Sequence, residues 1–524
     1  MQFPIPNARK ATTATTIAAL LMMAWGATGP ARGGDTTMFT DVTAMAGIQA
    51  PLTQDKPAGG IGVGDFNRDG WPDLFLTGYF EPNKLYFNTG QGGFQENPVI
   101  AAQIAMPGSR CTGVAVADPD NDGWSDIYLV CNGDNHLLRN REGIGFESET
   151  PALFNHAERS EAAVWADFNH DGVLDLVVAA HPRAFPYDEN DPDNYDRILI
   201  STGIGDYVDL APSLSIDTPL AATLALVAAD LDLDGRMDLY FANDRHDGNT
   251  LLLNRGPGCG GWCFDDVSEA TGARRPAYSM GIAVSDYDRD GDVDLYYSSI
   301  DEQILLVNHA DGAGDPVYIE GQIGADVNAP GIGWGTIFLD VDNDGLEDIY
   351  LAIAGPSGAN GDRLYLQQPE GGFVAFGPDS GLNQPLATEA AARIDYDRDG
   401  RMDLVLGHSN RDYRLYRNID SDSGNWLGVE LVGFAPINRD AIGTRVEVVT
   451  GDGLRRIGER RAGESRGATH DPALHFGLGA HTRADIVIHW PDGNTTTLAG
   501  RESGRYHRVL YPSSIPLFTD GFEP

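Results

Sequence analysis

The stretch DFNRDGWPD, Asp65 to Asp73, carries an acid or its amide at positions 1, 3, 5 and 9 and a glycine at position 6. It recurs six more times, as DPDNDGWSD from Asp118, DFNHDGVLD from Asp167, DLDLDGRMD from Asp230, DYDRDGDVD from Asp286, DVDNDGLED from Asp340 and DYDRDGRMD from Asp395. The starts lie 49 to 63 residues apart. Self-similarity at such a period marks a repeat architecture in which each repeat is one supersecondary unit.

The flanks say what that unit is. A short apolar run precedes each copy, as at Gly60–Gly64 and Gly281–Ser285, and another follows it, as in Leu74-Phe75-Leu76 and Ile349-Tyr350-Leu351. A third run ends in a turn: KLYFNTG from Lys84, HLLRNRE from His136, TLLLNRG from Thr250, RLYLQQP from Arg363, RLYRNID from Arg414. A Phe-led fourth closes several repeats, as in FDDVSEATG from Phe264 and FVAFGPDSG from Phe373. Short runs rich in β-branched and aromatic residues between Gly and Asp read as strands. Four per repeat, seven times over, predicts an all-β fold, a seven-bladed β-propeller. The seventh repeat lacks its Phe-led strand after Asn418, and FTDVTAMAGI from Phe39 matches FDDVSEATGA from Phe264. Residues 38–48 are therefore predicted to complete blade seven and so remove an open sheet edge.

Carboxylates at alternate positions of a tight loop converge on one point. Oxygen donors alone, with the position-7 carbonyl added, suit a hard cation of six to eight ligands. The predicted ligand sets are Asp65, Asn67, Asp69, Trp71 and Asp73; Asp118, Asp120, Asp122, Trp124 and Asp126; Asp167, Asn169, Asp171, Val173 and Asp175; Asp230, Asp232, Asp234, Arg236 and Asp238; Asp286, Asp288, Asp290, Asp292 and Asp294; Asp340, Asp342, Asp344, Leu346 and Asp348; and Asp395, Asp397, Asp399, Arg401 and Asp403. Up to seven Ca²⁺ ions are expected. An EF-hand shares the first six positions but needs a bidentate Glu at position 12. Here that position holds Leu76, Leu129, Val178, Phe241, Tyr297, Leu351 and Leu406, which read as strand residues.

These loops resemble FG-GAP/VCBS repeats, the calcium-binding units of integrin α-subunit propellers, over roughly residues 38–420. The resemblance implies calcium in the hairpin between the first two strands of each blade, and partners on the opposite face. That face would be built from segments such as Phe80–Asn83, Gly133–Asn135, His181–Asp196, Asn243–Asn249 and Gly355–Asp362.

From Asn425 the repeats stop. NWLGVELVG, NRDAIGTRVEV, LHFGLG and VIHWPDGNTTTL resemble, in order and spacing, the ASPIC/UnbV domain, with strands expected at Trp426–Val432, Thr444–Thr450, Ala484–Trp490 and Thr495–Ala499. Where that family has a Ser-rich segment before LHFGLG, this chain has AGESRGATHD, Ala462 to Asp471. A propeller followed by this domain is similar to the cartilage acidic protein family, including its bacterial members. The organisation expected is a leader at 1–33, the propeller at 34–420, a small β-rich domain at 421–512 and a tail at 513–524.

The leader reading rests on Arg9 and Lys10, a largely apolar run from Ala11 to Trp25, and small residues at Gly26, Ala27 and Gly29. That is the pattern of a secretory signal, and no later run of about 20 apolar residues follows. A secreted or cell-surface protein is expected, periplasmic or extracellular in a bacterium. The four cysteines agree with an oxidising compartment. Cys111 and Cys131 stand equidistant from Asn121 and should face each other across a hairpin, while Cys259 and Cys263 can close a small ring in CGGWC. Half a zinc site, the other reading of that pair, lacks two further soft ligands. With 77 acidic against 36 basic residues, net −41, nucleic acid and anionic membrane surfaces are poor partners.

Binding or adhesion toward an extracellular protein or glycan is the first functional expectation, with no membrane span. An extracellular enzyme, or an enzyme-associated scaffold acting on a polysaccharide or surface substrate, is the alternative. A structural matrix component is the third. His181, Asp244, His246 and Asp247 in inter-strand segments, and His470, Asp471 and His475 before the last strands, are the groups a catalyst would draw on. No nucleophile elbow, Walker loop or His-Glu-x-x-His motif accompanies them, so no catalytic residue is assigned.

Overall fold

Six blades of four antiparallel strands succeed one another from Ile61 to Ala375, two of them extended by a fifth short strand, and a seventh combines strands from the two ends of the propeller. The first blade shows the plan: Ile61–Gly64, Asp73–Leu76, Lys84–Asn88 and Phe94–Glu96, paired in that order. In this computed structural model the described residues are 37–51, 59–155, 159–182, 195–214, 222–245, 248–259, 261–300, 302–310, 312–321, 327–354, 361–376, 380–382 and 386–512. The predicted leader at 1–33 and tail at 513–524 lie outside them.

The innermost strands are Ile61–Gly64, Cys111–Ala117, Ser160–Ala166, Thr223–Ala229, Gly281–Ser285, Ile332–Leu339 and Thr388–Ile394. Each contacts the next, and the last contacts the first, so the ring is closed. The core is correspondingly a series of clusters between neighbouring blades. Ile61, Val63 and Leu74 of blade one meet Ala390, Ile394 and Val405 of blade seven. Ala283 and Tyr296 of blade five meet Phe338 and Ile349 of blade six. Tyrosines recur in the second strands with rings fully buried, and several hydroxyls are paired: Tyr240 donates to Ala273 carbonyl at 3.0 Å, Tyr296 to Val327 carbonyl at 3.0 Å and Tyr350 to Asp362 Oδ2 at 2.7 Å. A buried tyrosine is tolerated because its polar end is paired.

Blade seven takes its outer strand from the N-terminus. Phe39–Asp41 lies antiparallel to Tyr413–Asn418, with Phe39 opposite Asn418. Phe39, Val42, Ala46 and Ile48 are buried. Cys111 pairs with Cys131 across the first hairpin of blade two, and Cys259 with Cys263, so both predicted disulfides are present.

The C-terminal domain has two sheets. Asn425–Val432 runs between Leu474–Gly479 and Arg505–Leu510. Facing it is the sheet Arg455–Glu459, Arg445–Thr450, Arg483–His489, Thr495–Glu502. Leu427, Val429, Val446, Val448, Phe476, Ile486, Ile488 and Trp490 fill the space between.

One segment of this domain leaves it altogether. Residues 462–471, the AGESRGATHD stretch, run into the centre of the propeller and bond to the free edges of the inner strands. Ala462 carbonyl accepts from Trp165 N–H, Gly467 carbonyl from Val114 N–H, and Ser465 N–H donates to Ile282 carbonyl, each at 3.0 Å. Ala468–Thr469 pairs parallel to Ile61–Gly62. Ser465 Oγ accepts from Thr336 N–H at 3.1 Å, and Asp471 N–H donates to Arg393 carbonyl at 3.1 Å. Blades one, two, three, five, six and seven are all engaged. An inner strand of a propeller has an unpaired edge facing the axis, and a buried unpaired N–H or C=O costs free energy. The inserted segment satisfies those groups. At its tip Arg466, with only 3% of its side chain exposed, faces Glu161 at 3.5 Å and Glu389 at 3.7 Å and lies 4.3 Å from the Trp334 ring.

Candidate metal centre

All seven acidic loops join the first and second strands of their blades and fold alike. In loop one, Asp69 N–H donates to Asp65 Oδ1 at 3.1 Å, Gly70 N–H to Asp65 Oδ2 at 2.9 Å, and Trp71 N–H to Asp69 Oδ1 at 2.9 Å. Loop six repeats the pattern from Asp340 and loop seven from Asp395. Two consecutive sharp turns are needed. Position 6 is Gly with φ between 80° and 105°, and position 4 is left-handed as well, at Arg68, Asn121, His170, Leu233, Arg289, Asn343 and Arg398 with φ of 55° to 63°. Gly enters that region freely; the other residues are strained there, so the surrounding bonds must hold them.

The result is a set of converging oxygens. Asp118, Asp120 and Asp122; Asp230, Asp232 and Asp234; Asp286, Asp288 and Asp290; Asp340, Asp342 and Asp344; and Asp395, Asp397 and Asp399 each bring one carboxylate oxygen within 4.8 Å of the other two, an arrangement that can hold a metal ion. Loops one and three have Asn67 and Asn169 at position 3, so two carboxylates and an amide meet there. Asp397 Oδ1 is buried and has no hydrogen-bond partner. Three carboxylates at this spacing repel one another. Hard oxygen donors, like charges and an unsatisfied buried oxygen together fit a divalent cation.

The position-9 aspartates behave differently. Each is the first residue of its second strand. In loop one, Asp73 Oδ2 accepts from Phe66 N–H at 3.0 Å and Oδ1 from Asn88 N–H at 2.8 Å. In loop four, Asp238 accepts from Leu231 at 2.8 Å and Asn254 at 2.7 Å. Each of these carboxylates ties its loop to the third strand of its own blade. In five of the seven blades the residue it meets then reaches the preceding blade. Asn88 Nδ2 donates to Tyr396 carbonyl at 2.8 Å, Asn140 to Phe66 at 2.9 Å, Asn254 to Phe168 at 2.9 Å, Gln367 Nε2 to Tyr287 at 2.8 Å and Asn418 to Val341 at 2.7 Å. Sequence reasoning passed over this Asn/Gln, although its recurrence in the third-strand motif was the available signal.

Burial, opposed by loop N–H bonds and reinforced by neighbouring carboxylates, pushes Asp65 up to about 6, Asp286 and Asp167 to about 7 and Asp230 to about 8. A raised carboxylate pKa means that the folded, metal-free chain holds protons the unfolded chain releases. Metal-free stability is therefore fullest below pH 3.8 and declines as pH rises toward 6–8. Protons and cation compete for the same oxygens, so cation affinity should be about 25-fold weaker at pH 5.5 than at pH 7.5 in a loop whose first Asp titrates near 7, measured by calorimetry at the two pH values.

The residues considered for catalysis separate. His470 and Asp471 belong to the inserted segment and are buried, and burial pushes His470 down to about 3. His475 stacks on Trp426 and lies 3.0 Å from Gly400 carbonyl, with burial pushing it down to about 4. His181 Nε2 lies 3.3 Å from Asp244 Oδ2, at the ends of blades three and four away from the acidic loops. His246 and Asp247 lie outside the described residues, as do 183–194 and 355–360 of the opposite-face segments.

An FG-GAP-like repeat model matches residues 65–129, 118–178, 230–297 and 340–406, spanning all seven loops, and an ASPIC and UnbV model matches residues 435–516. This chain carries FG-GAP-like repeats and an ASPIC/UnbV domain. It is similar to cartilage acidic protein 1 of Mus musculus, 24% identical over 91% of this chain and 77% of that protein, and to the Homo sapiens protein of the same name, 23% identical over 92% and 77%. Among solved structures, an Agrocybe aegerita lectin that recognises non-reducing terminal N-acetylglucosamine aligns at a TM-score of 0.43 and 18% identity, over 62% of this chain and 82% of the lectin. The FG-GAP-like repeats are the blades, with their acidic loops all on one side of the ring. No helix among the described residues is long and apolar enough to cross a membrane.

Proposed function

We propose that this protein is an extracellular calcium-binding β-propeller that works as a binding or adhesion module, without catalysis of its own. Five carboxylate triplets, each with its oxygens within 4.8 Å, carry the calcium part of the reading. Carboxylates or amides at positions 1, 3, 5 and 9 of each loop, with the position-7 carbonyl, would hold the ion, and its charge would neutralise them and fix the loop. The number of sites is up to seven, with loops one and three among the weaker because Asn67 and Asn169 are neutral.

The binding part follows from the face that the C-terminal domain does not occupy. The C-terminal domain occupies the acidic-loop side and the axis, where His470 and Asp471 are buried and His475 is half-buried. What remains is the opposite face, where Tyr79 and Phe80 present half-buried aromatic rings and Arg110 lies 4.8 Å from the Phe80 ring. Aromatic and arginine side chains together suit a protein or glycan partner. A glycan array and a panel of immobilised extracellular proteins, probed with calcium-loaded mature protein, should give binding that Phe80→Ala weakens several-fold. Turnover of a polysaccharide by the wild type, abolished by His181→Ala, would replace this reading with the enzymatic one.

A further inference from the structure

The C-terminal domain is seated on the acidic loops themselves. Gly424 N–H donates to Asp342 carbonyl at 2.7 Å and Gly479 N–H to Asn343 carbonyl at 2.8 Å. His475 Nε2 donates to Gly400 carbonyl at 3.0 Å, and the Tyr506 hydroxyl to Asp395 Oδ2 at 2.5 Å. These partners are positions 3 and 4 of loop six and positions 6 and 1 of loop seven. They stand where they do only while the loops keep their left-handed turns, Asn343 at φ 57° and Gly400 at φ 80°.

The domain also gives carboxylates back. Asp440 Oδ2 accepts from Asp118 N–H at 2.6 Å, Glu459 Oε1 from Asp230 N–H at 3.2 Å and Asp471 Oδ2 from Asp395 N–H at 3.3 Å. In loops two, four and seven the backbone of the first aspartate is thus capped by an acid from the other domain. Each cap sets a further acid beside a loop that already gathers three. Arg461 answers Glu459 at 3.5 Å and Glu464 at 3.0 Å, within the C-terminal domain.

We propose that cation binding in the loops and docking of the C-terminal domain, inserted segment included, form one linked equilibrium; this rests on the calcium reading above. With calcium in place the turns are held and the domain's acids face neutralised loops. Without it, mutual repulsion opens the turns and the seat is lost. Linkage is reciprocal: a docked domain raises the affinity of the loops by the factor with which calcium favours docking.

Hydrogen exchange on the full chain tests this, with the amides of Asp126–Cys131 as an internal reference. In 1 mM calcium the Ser465 and Asp471 amides, bonded to Ile282 and Arg393 carbonyls, should be protected. In chelator they should exchange at least ~10-fold faster relative to that reference. Arg466→Ala tests the reverse direction. Arg466 faces Glu161 and Glu389, each six residues before its loop, so it touches no predicted ligand. The variant should nevertheless weaken calcium affinity roughly 5-fold. Unchanged protection of Ser465 and Asp471 in chelator, while calorimetry shows that calcium has left, would overturn the linkage and leave the calcium reading standing. So would an Arg466→Ala protein with faster exchange at Ser465 and unaltered calcium affinity. Should Arg466→Ala fail to fold, the wild-type comparison decides alone. Absence of any bound calcium in the wild type would instead remove the calcium reading and the linkage together.

Discussion

Stripped of divalent cations, the protein should melt on the order of 10 °C or more below its temperature in ~1 mM calcium. Extracellular sites of this type bind with Kd on the order of 10⁻⁴–10⁻³ M. At ~1 mM calcium a site of Kd near 10⁻⁴ M adds RT ln 11, about 1.4 kcal/mol, if the unfolded chain does not bind. Five carboxylate triplets of this kind then contribute several kcal/mol together, against a typical net stability of about 5–15 kcal/mol. Magnesium, which demands a tighter octahedral shell and dehydrates reluctantly, should restore little of the loss. Asp286→Ala should remove about one site's share. Differential scanning calorimetry in calcium, magnesium and chelator reads all three effects.

The second large effect should come from the N-terminal strand. Phe39 is wholly buried, packed with Met38, Ile337, Leu404 and Tyr416 where blades six and seven meet. Phe39→Ala should cost about 3–5 kcal/mol, the range for removing a buried phenylalanine. Deletion of residues 37–48 goes further. It exposes the edge of Tyr413–Asn418 and uncovers Ile61, Leu74 and Val405, which pack against Val42 and Ile48. That variant should not yield a monomeric folded protein, and size-exclusion chromatography with far-UV circular dichroism checks it. A deletion variant that melts like the full chain would mean that three strands suffice for blade seven.

Much of this architecture was legible because repetition amplifies weak signals. One DxDxDG loop is only a good turn; seven at a steady period place fourteen strands around them. Phe39 could be matched to blade seven because Phe264 shows what a fourth strand looks like here. The two disulfides were legible because Cys111 and Cys131 flank a symmetric hairpin and Cys259 and Cys263 a glycine-rich ring. Ala462 to Asp471 was not legible as an axial insertion. It has no apolar periodicity, and its partners, the free edges near Ile61, Val114, Trp165, Ile282 and Arg393, lie far away in sequence and become edges only once the ring exists. Strands Arg455–Glu459 and Arg505–Leu510 escaped notice because RRIGE and RYHRVL are too charged to alternate clearly. His470 and Asp471 looked like chemistry in the sequence, whereas their burial in the inserted segment makes them packing and bonding groups.

The sequence reads positions 1, 3, 5, 7 and 9 as ligands, and the structure adds a second role for position 9 in tying the loop to the third strand. Positions 1, 3 and 5 converge in five loops, and the carboxylates of positions 1 and 9 both accept backbone N–H bonds on their two oxygens, as Asp65, Asp73 and Asp238 show. Asp238→Asn should therefore loosen loop four and its link to Asn254 more than it lowers the number of ions bound.

Calorimetric titration of chelator-stripped, full-length protein with calcium, with elemental analysis of the dialysed product, bears most directly on the whole account. Five to seven ions per chain, with the first aspartate of a triplet such as Asp340 required for one of them, is the predicted result. No heat, no bound calcium and a melting temperature indifferent to chelator would contradict it, and the seven acidic loops would then be turns alone.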